Sequence, residues 1–253
     1  MEPTADNRMV GYPYTKAMNA NSFVDFGGAI IICSVAKARS LGIDSDNWVF
    51  PHSATDGHAT FLFSERDNFH ESPAIRVTSK RCLELADISI DNVGPMDLYS
   101  CFPSVVQITM NELGIDPERA ATTTGGLSFF GGPMNSYVIH AIASTIDEIR
   151  KTGEYGFVHA NGGYATKHAC AVYHNKPPKG QFRRINVQEE IEASPKREVE
   201  ENPIGKSVVE AYTVLHGREG PEKALMTTLM EDGKRALAST NDAQTMQSMM
   251  SEE

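Results

Sequence analysis

The chain has 253 residues, 40% of them hydrophobic and 22% charged, a globular balance with room for one large domain or a domain plus an appendage. Its formal net charge of −10 excludes a general nucleic-acid binder and attraction to an anionic membrane surface, but not an anionic ligand in one locally basic pocket. The longest apolar stretch, residues 27–33, is too short for a membrane span. No signal-peptide pattern opens the chain, and four scattered cysteines without a C-x-x-C pair predict reduced thiols in the cytoplasm and no metal site.

In chain order, residues 23–41 read as a short buried strand, with Cys33 in its core, followed by a helix ending near Gly42. A second short apolar run covers 48–51. Residues 73–85 have helical spacing, with Ile75, Leu83 and Leu85 among charges. Residues 96–102 read as a strand and 103–113 as a helix stopped at Gly114.

The stretch TTTGGLSFFGGPMNSYVIHAI (122–142) places two glycine pairs around an apolar patch. Pro133 suits the first turn of a helix over 133–151, with Val138, Ile142, Ile146 and Ile149 along one stripe. A glycine-rich loop before a helix can aim several backbone N–H groups at an oxyanion or phosphate, or it can serve backbone shape alone.

Asn161-Gly162-Gly163 marks a hairpin turn within 155–174. NKPPKG at 175–180 is linker-like, and the acidic segment 189–201 reads as solvated surface. Strands follow over 208–215, 223–229 and 235–239, the last after an Asp232-Gly233 turn, and the Met-rich tail shows no core pattern. The organisation expected is a loop segment (1–22), an α/β domain with a mixed sheet covered by helices (23–178), and a small β domain with a flexible tail (179–253).

Four segments, VDFGGAIIICSVAKARSLGI, DLYSCFPSVVQ, TTTGGLSFFGGPMNSYVIHAIA and HANGGYATKHACAVY, occur in this order. Together they resemble the C-terminal half of a thiolase-superfamily protein, of the acetyl-CoA acetyltransferase-like kind called thiolase-like protein type 1. The resemblance covers roughly 7–178, and the tail resembles that subgroup's additional C-terminal β domain. It implies the α/β thiolase-like fold, five αβαβα layers built from two similar halves, with the reactive cysteine in the first half. It also implies acyltransferase chemistry, with coenzyme A or an acyl-CoA as substrate or ligand and no covalently bound cofactor.

The chain departs from that pattern. Nothing in it resembles the nucleophile-bearing motif. Gly131-Gly132-Pro133 stands where active relatives carry Gly-His-Pro, and Tyr99-Ser100-Cys101-Phe102 stands where sterol-carrier-type thiolases carry His-Asp-Cys-Phe. Ala160-Asn161-Gly162 occupies the loop of the degradative enzymes' basic cysteine. The resemblance therefore implies an acyl-CoA-handling protein that is not a competent thiolase as this chain. The alternative is a non-catalytic CoA-binding or assembly subunit, partnered by a second copy of itself or by a separately encoded N-terminal half.

The catalytic candidates are His168, Cys101 and Asn135. Cys101, at a strand end before a helix, is either a thiol activated by the helix N-terminus or a buried filler. Asn135 either bonds a thioester oxygen or caps local backbone, and His168 lies in the hairpin that the family sets beside its catalytic centre. The substrate-binding candidates are Tyr99, Gly131, Gly132, His140 and Asn161. His140 either projects toward the site or is structural, and Asn161 is most simply a turn residue.

Overall fold

The computed structural model describes residues 2–251, and the chain divides into two compact units. One is the α/β unit, Ala20–Ala59 with Glu71–Ser194. The other, a β unit, joins the residues up to Asn19, Thr60–His70 and those from Pro195 onward. Strands β1 (Met9–Gly11) and β2 (Tyr14–Thr15) open the chain and belong to the β unit.

The α/β unit begins with a correction. Residues 20–33 form no strand, Cys33 is exposed, and only the short helix α1 (Val35–Ser40) follows. The run has the apolar character of a strand, but neither sheet pairs with it.

Strand β3 (Phe50–His58) extends beyond the predicted apolar run into the polar sequence HSATDGH. Its inward hydroxyls explain this. Ser53 Oγ donates to the Cys82 carbonyl and Thr55 Oγ1 to that of Thr78, each at 2.7 Å, so helix α2 (Pro73–Leu85) satisfies the strand's polar face. Ser72 caps α2 by accepting from Ile75 N, with Pro73 at the first position.

Strand β4 (Val93–Asp97) precedes helix α3 (Pro103–Leu113), and Gly114 ends that helix in the left-handed region at φ +67. The strand thus stops before Tyr99, where the sequence extends it to Phe102. The short helix α4 (Gly126–Phe129) sits within the glycine loop. Helix α5 (Tyr137–Thr152) starts four residues after Pro133, because Met134 takes a positive φ of 52 that no helix continues through.

Strands β5 (Tyr155–Gly162) and β6 (Lys167–His174) form the expected hairpin, with a different turn. Positive φ falls at Gly163 and Ala165, so Asn161 is a strand residue paired with His168 rather than a turn residue. Strand β7 (Arg183–Asn186) and helix α6 (Gln188–Glu192) complete the unit; α6 exposes its glutamates and buries Ile191. The sheet order is β4-β5-β6-β3-β7, with parallel pairs at β4/β5 and β3/β7 and antiparallel pairs between. Cys82, Met96, Leu98, Phe157 and Val172 pack into one core, while Tyr99, Leu127, Tyr137 and Val158 form another.

The β unit is an antiparallel sheet, β10-β9-β8-β1-β2, built on β8 (Ser207–His216), β9 (Pro221–Met230) and β10 (Arg235–Thr240). Helix α7 (Ala243–Met249) is a further correction, since the tail reads as patternless. Asp242 caps it by accepting from Thr245 N, and Met246 packs on Val214 and Ala224. No helix among the described residues is long and apolar enough to cross a membrane.

Candidate functional site

The glycine loop is held from below by one carboxylate. Asp97, fully buried at the end of β4, accepts from Tyr137 Oη at 2.8 Å, Thr122 Oγ1 at 2.7 Å and Thr123 N at 3.0 Å. Thr124 Oγ1 lies 2.6 Å from the same tyrosine oxygen. Burial raises the Asp97 pKa above the usual carboxylate range, and the bonds from Thr122 and Tyr137 pull it back.

Several of the loop's own N–H groups bond within the fold. Those of Gly125 and Gly126 donate to Thr122 and Thr124 hydroxyls at 3.1 Å, and that of Leu127 donates to Ser100 Oγ at 3.0 Å. The Gly132 N–H donates to the Asn21 carbonyl at 2.8 Å. The loop is therefore a braced turn at these positions.

Two glycines carry steric meaning. Gly126 sits at φ +80, and a Cβ there would fall 2.7 Å from Ser100 Oγ. At Gly132 a Cβ would fall 2.6 Å from the Leu127 side chain, which occupies the space any side chain would need. Gly131 adopts φ +104 beneath Val24.

Tyr99, Cys101 and Asn161 come together where β4 and β5 end. The buried Tyr99 ring stands edge-on to Tyr137 with centroids 5.6 Å apart. Asn161 Nδ2 donates to Cys101 Sγ at 3.4 Å. Burial pushes the Cys101 thiol up, and the bonds from the Phe102 backbone and Asn161 pull it back.

His168 opposes Asn161 across the hairpin and turns to His159, a residue the sequence reading passes over. His168 Nε2 faces the Ala165 carbonyl at 3.1 Å, so it must donate. Neutral His168 Nδ1 then accepts from His159 Nε2, also at 3.1 Å. This leaves His159 Nδ1 as a buried acceptor without a partner among the described residues. The signal for His159 is its place in strand alternation, two residues before Asn161 on the same face.

Burial and the neighbouring His168 hold the His159 pKa well below the ordinary imidazole value. Above pH ~6.5 folded and unfolded chains both carry it neutral. Below that, the unfolded chain takes the proton first, so stability should fall with a slope of up to about 1.4 kcal/mol per pH unit. Buried His174 acts in the same direction and Asp97, raised by burial, in the opposite one. Urea midpoints between pH 7.5 and 5.5 should therefore drop less in His159→Gln than in the parent; parallel profiles would contradict this assignment.

Two candidates lie apart. His140 nests against Phe26 (4.6 Å) and Phe130 (5.5 Å), and its buried Nε2 has no partner among the described residues. Asn135 is exposed beside Met134. A cavity of about 380 Å³ opens beside Asn161, lined also by Asp56, His58, Gly162, Lys167 and Asn186.

A family model described as the thiolase-like protein type 1 additional C-terminal domain matches residues 186–253. The fold is similar to the crystal structure of a monomeric SCP2-thiolase-like protein type 1 from Mycobacterium smegmatis, with TM-score 0.83 and 32% identity. The match covers 99% of this chain and 56% of that one, so this chain spans about half the length of the relative. No curated protein sequence matches. The chain is a thiolase-like protein that carries the type 1 additional C-terminal domain.

Proposed function

We propose that the chain handles an acyl-CoA at the convergence of the glycine loop with Tyr99, Cys101 and Asn161, and that it does so without thiolase turnover. The observation that carries this reading is the packing of Leu127 into the space beside Gly132, the position where active relatives of the resembled family place a histidine. Acyl transfer through cysteine needs an activated nucleophile and an oxyanion donor. Here burial holds the Cys101 thiol protonated, and the Gly132 N–H is committed to Asn21. Asn161, two residues beyond His159 and opposite His168 in the hairpin, is left to orient a ligand by hydrogen bonding. Such a protein works in the cytoplasm and takes free CoA or an acyl-CoA as its ligand.

Thiolysis of acetoacetyl-CoA by the purified 253-residue chain should stay at the rate of buffer alone. Turnover above that rate would overturn the non-catalytic part of the reading. A second reading, an assembly subunit completed by another copy or by a thiolase-like N-terminal half, is favoured by the exposed apolar residues 31 and 32.

A further inference from the structure

Three strands in register floor the cavity beside Asn161. His58, Lys167 and Gly162 form one row across β3, β6 and β5, and Asp56, Ala169 and Ala160 form the next. Alternation along each strand puts both rows on one face of the sheet. Ala160, Gly162 and Ala169 carry little or no side chain, so a ligand can come close to the backbone there.

The charges around this floor do not cancel. Each Asp56 oxygen already accepts a bond, Oδ1 from Arg184 Nη2 at 2.6 Å and Oδ2 from Asn186 Nδ2 at 2.7 Å. His58 Nδ1 donates to the Ala59 carbonyl at 3.0 Å. His168 belongs to the opposite face, where it meets His159. Lys167 alone among the lining residues brings a side-chain cation that no acid answers among the described residues. The chain has 33 acidic residues against 23 basic ones, yet this cation is left unpaired in a concave site.

We infer that the cavity takes the acyl chain of the acyl-CoA and that Lys167 selects a chain ending in a carboxylate, the monothioester of a dicarboxylic acid. The inference rests on the acyl-CoA reading above and adds the class of acyl group and the residue that reads it. With the thioester at Asn161, the acyl chain runs over the small-residue floor toward Lys167. The nucleotide stays outside, because about 380 Å³ lies at the low end of small-molecule sites, roughly 300–1,000 Å³. A terminal carboxylate gains a charge-assisted hydrogen bond that an alkyl end of the same length cannot make. Asp56 does not repel it strongly, since Arg184 neutralises that carboxylate.

The test titrates the full 253-residue chain calorimetrically with free CoA, valeryl-CoA and glutaryl-CoA. The two acyl groups have equal chain length and differ in the terminal carboxylate. Glutaryl-CoA should bind at least about tenfold tighter than valeryl-CoA. Lys167→Met should bring the two within about twofold, by weakening glutaryl-CoA alone. Lys167 is exposed, so the variant should keep the parent's thermal midpoint.

Equal affinity of the parent for both acyl-CoAs, or a preference that survives Lys167→Met, would overturn the assignment and leave the acyl-CoA reading standing. A variant that loses free CoA and glutaryl-CoA alike would give the lysine to a CoA phosphate, which also overturns it. No saturable heat with any of the three ligands would overturn both.

Discussion

Replacing Arg235 with methionine is expected to destabilise the β unit by about 3–5 kcal/mol, as when one partner of a buried ion pair is removed. The guanidinium is wholly buried at the start of β10. Its Nε and Nη2 clasp the two Glu210 carboxylate oxygens at 2.6 Å each. Nη1 donates to the Ser64 carbonyl at 2.8 Å and to that of Arg66, Nη2 donates to Asp67 O at 3.0 Å, and the group lies 4.4 Å over the Phe69 ring. Methionine fills a similar volume but leaves Glu210 without its cation and strands the Ser64 and Arg66 carbonyls, while Asp67 O keeps Arg197. The Arg235 hydrogen bond is the main reason the Glu210 pKa lies below the ordinary carboxylate value. That contribution is present above the unfolded value and is lost as pH falls through the folded one. Urea unfolding followed by far-ultraviolet circular dichroism measures the loss. A change below about 1 kcal/mol would place Arg235 among ordinary surface ion pairs.

Asp97→Ala should cost about 2–4 kcal/mol and loosen the glycine loop, since each buried group left unpaired costs about 1–3 kcal/mol. Thr123 N–H loses its acceptor, Tyr137 Oη keeps only Thr124, and a small cavity remains. Asp97→Asn should fall between, because its amide NH₂ turns a donor toward donors. The variant should bind CoA at least about tenfold more weakly, because ligand groups must be held in place to be effective. Unfolding curves and CoA titrations of the same preparations separate the two effects. Lost stability with unchanged affinity would detach the loop from the ligand site.

The two helices flanking β4 were legible because their ends carry local chemistry: Ser72-Pro73 at the start of α2, Pro103 and Gly114 at the limits of α3. Strand β3 was not, since its hydroxyls look solvated until α2 carbonyls are seen to accept from them. Residues 28–33 err in the opposite sense. Their hydrophobicity announces a strand, and no strand of this chain pairs with it.

In the candidate site, the grouping of Tyr99, Cys101 and Asn161 follows from motifs in the sequence, while their states depend on packing. The raised Cys101 pKa, the braced N–H groups of the loop and the pairing of His168 with His159 all arise from burial and from partners distant in sequence. Pro133 likewise suits a helix start by type, but Met134 at φ +52 delays the helix to Tyr137.

Calorimetric titration of the purified chain with CoA tests the central claim most directly. The account predicts saturable binding near one equivalent, weakened in Asp97→Ala, from a chain that does not thiolyse acetoacetyl-CoA. Absence of any saturable heat, at CoA concentrations up to the millimolar range, would contradict an acyl-CoA-handling site.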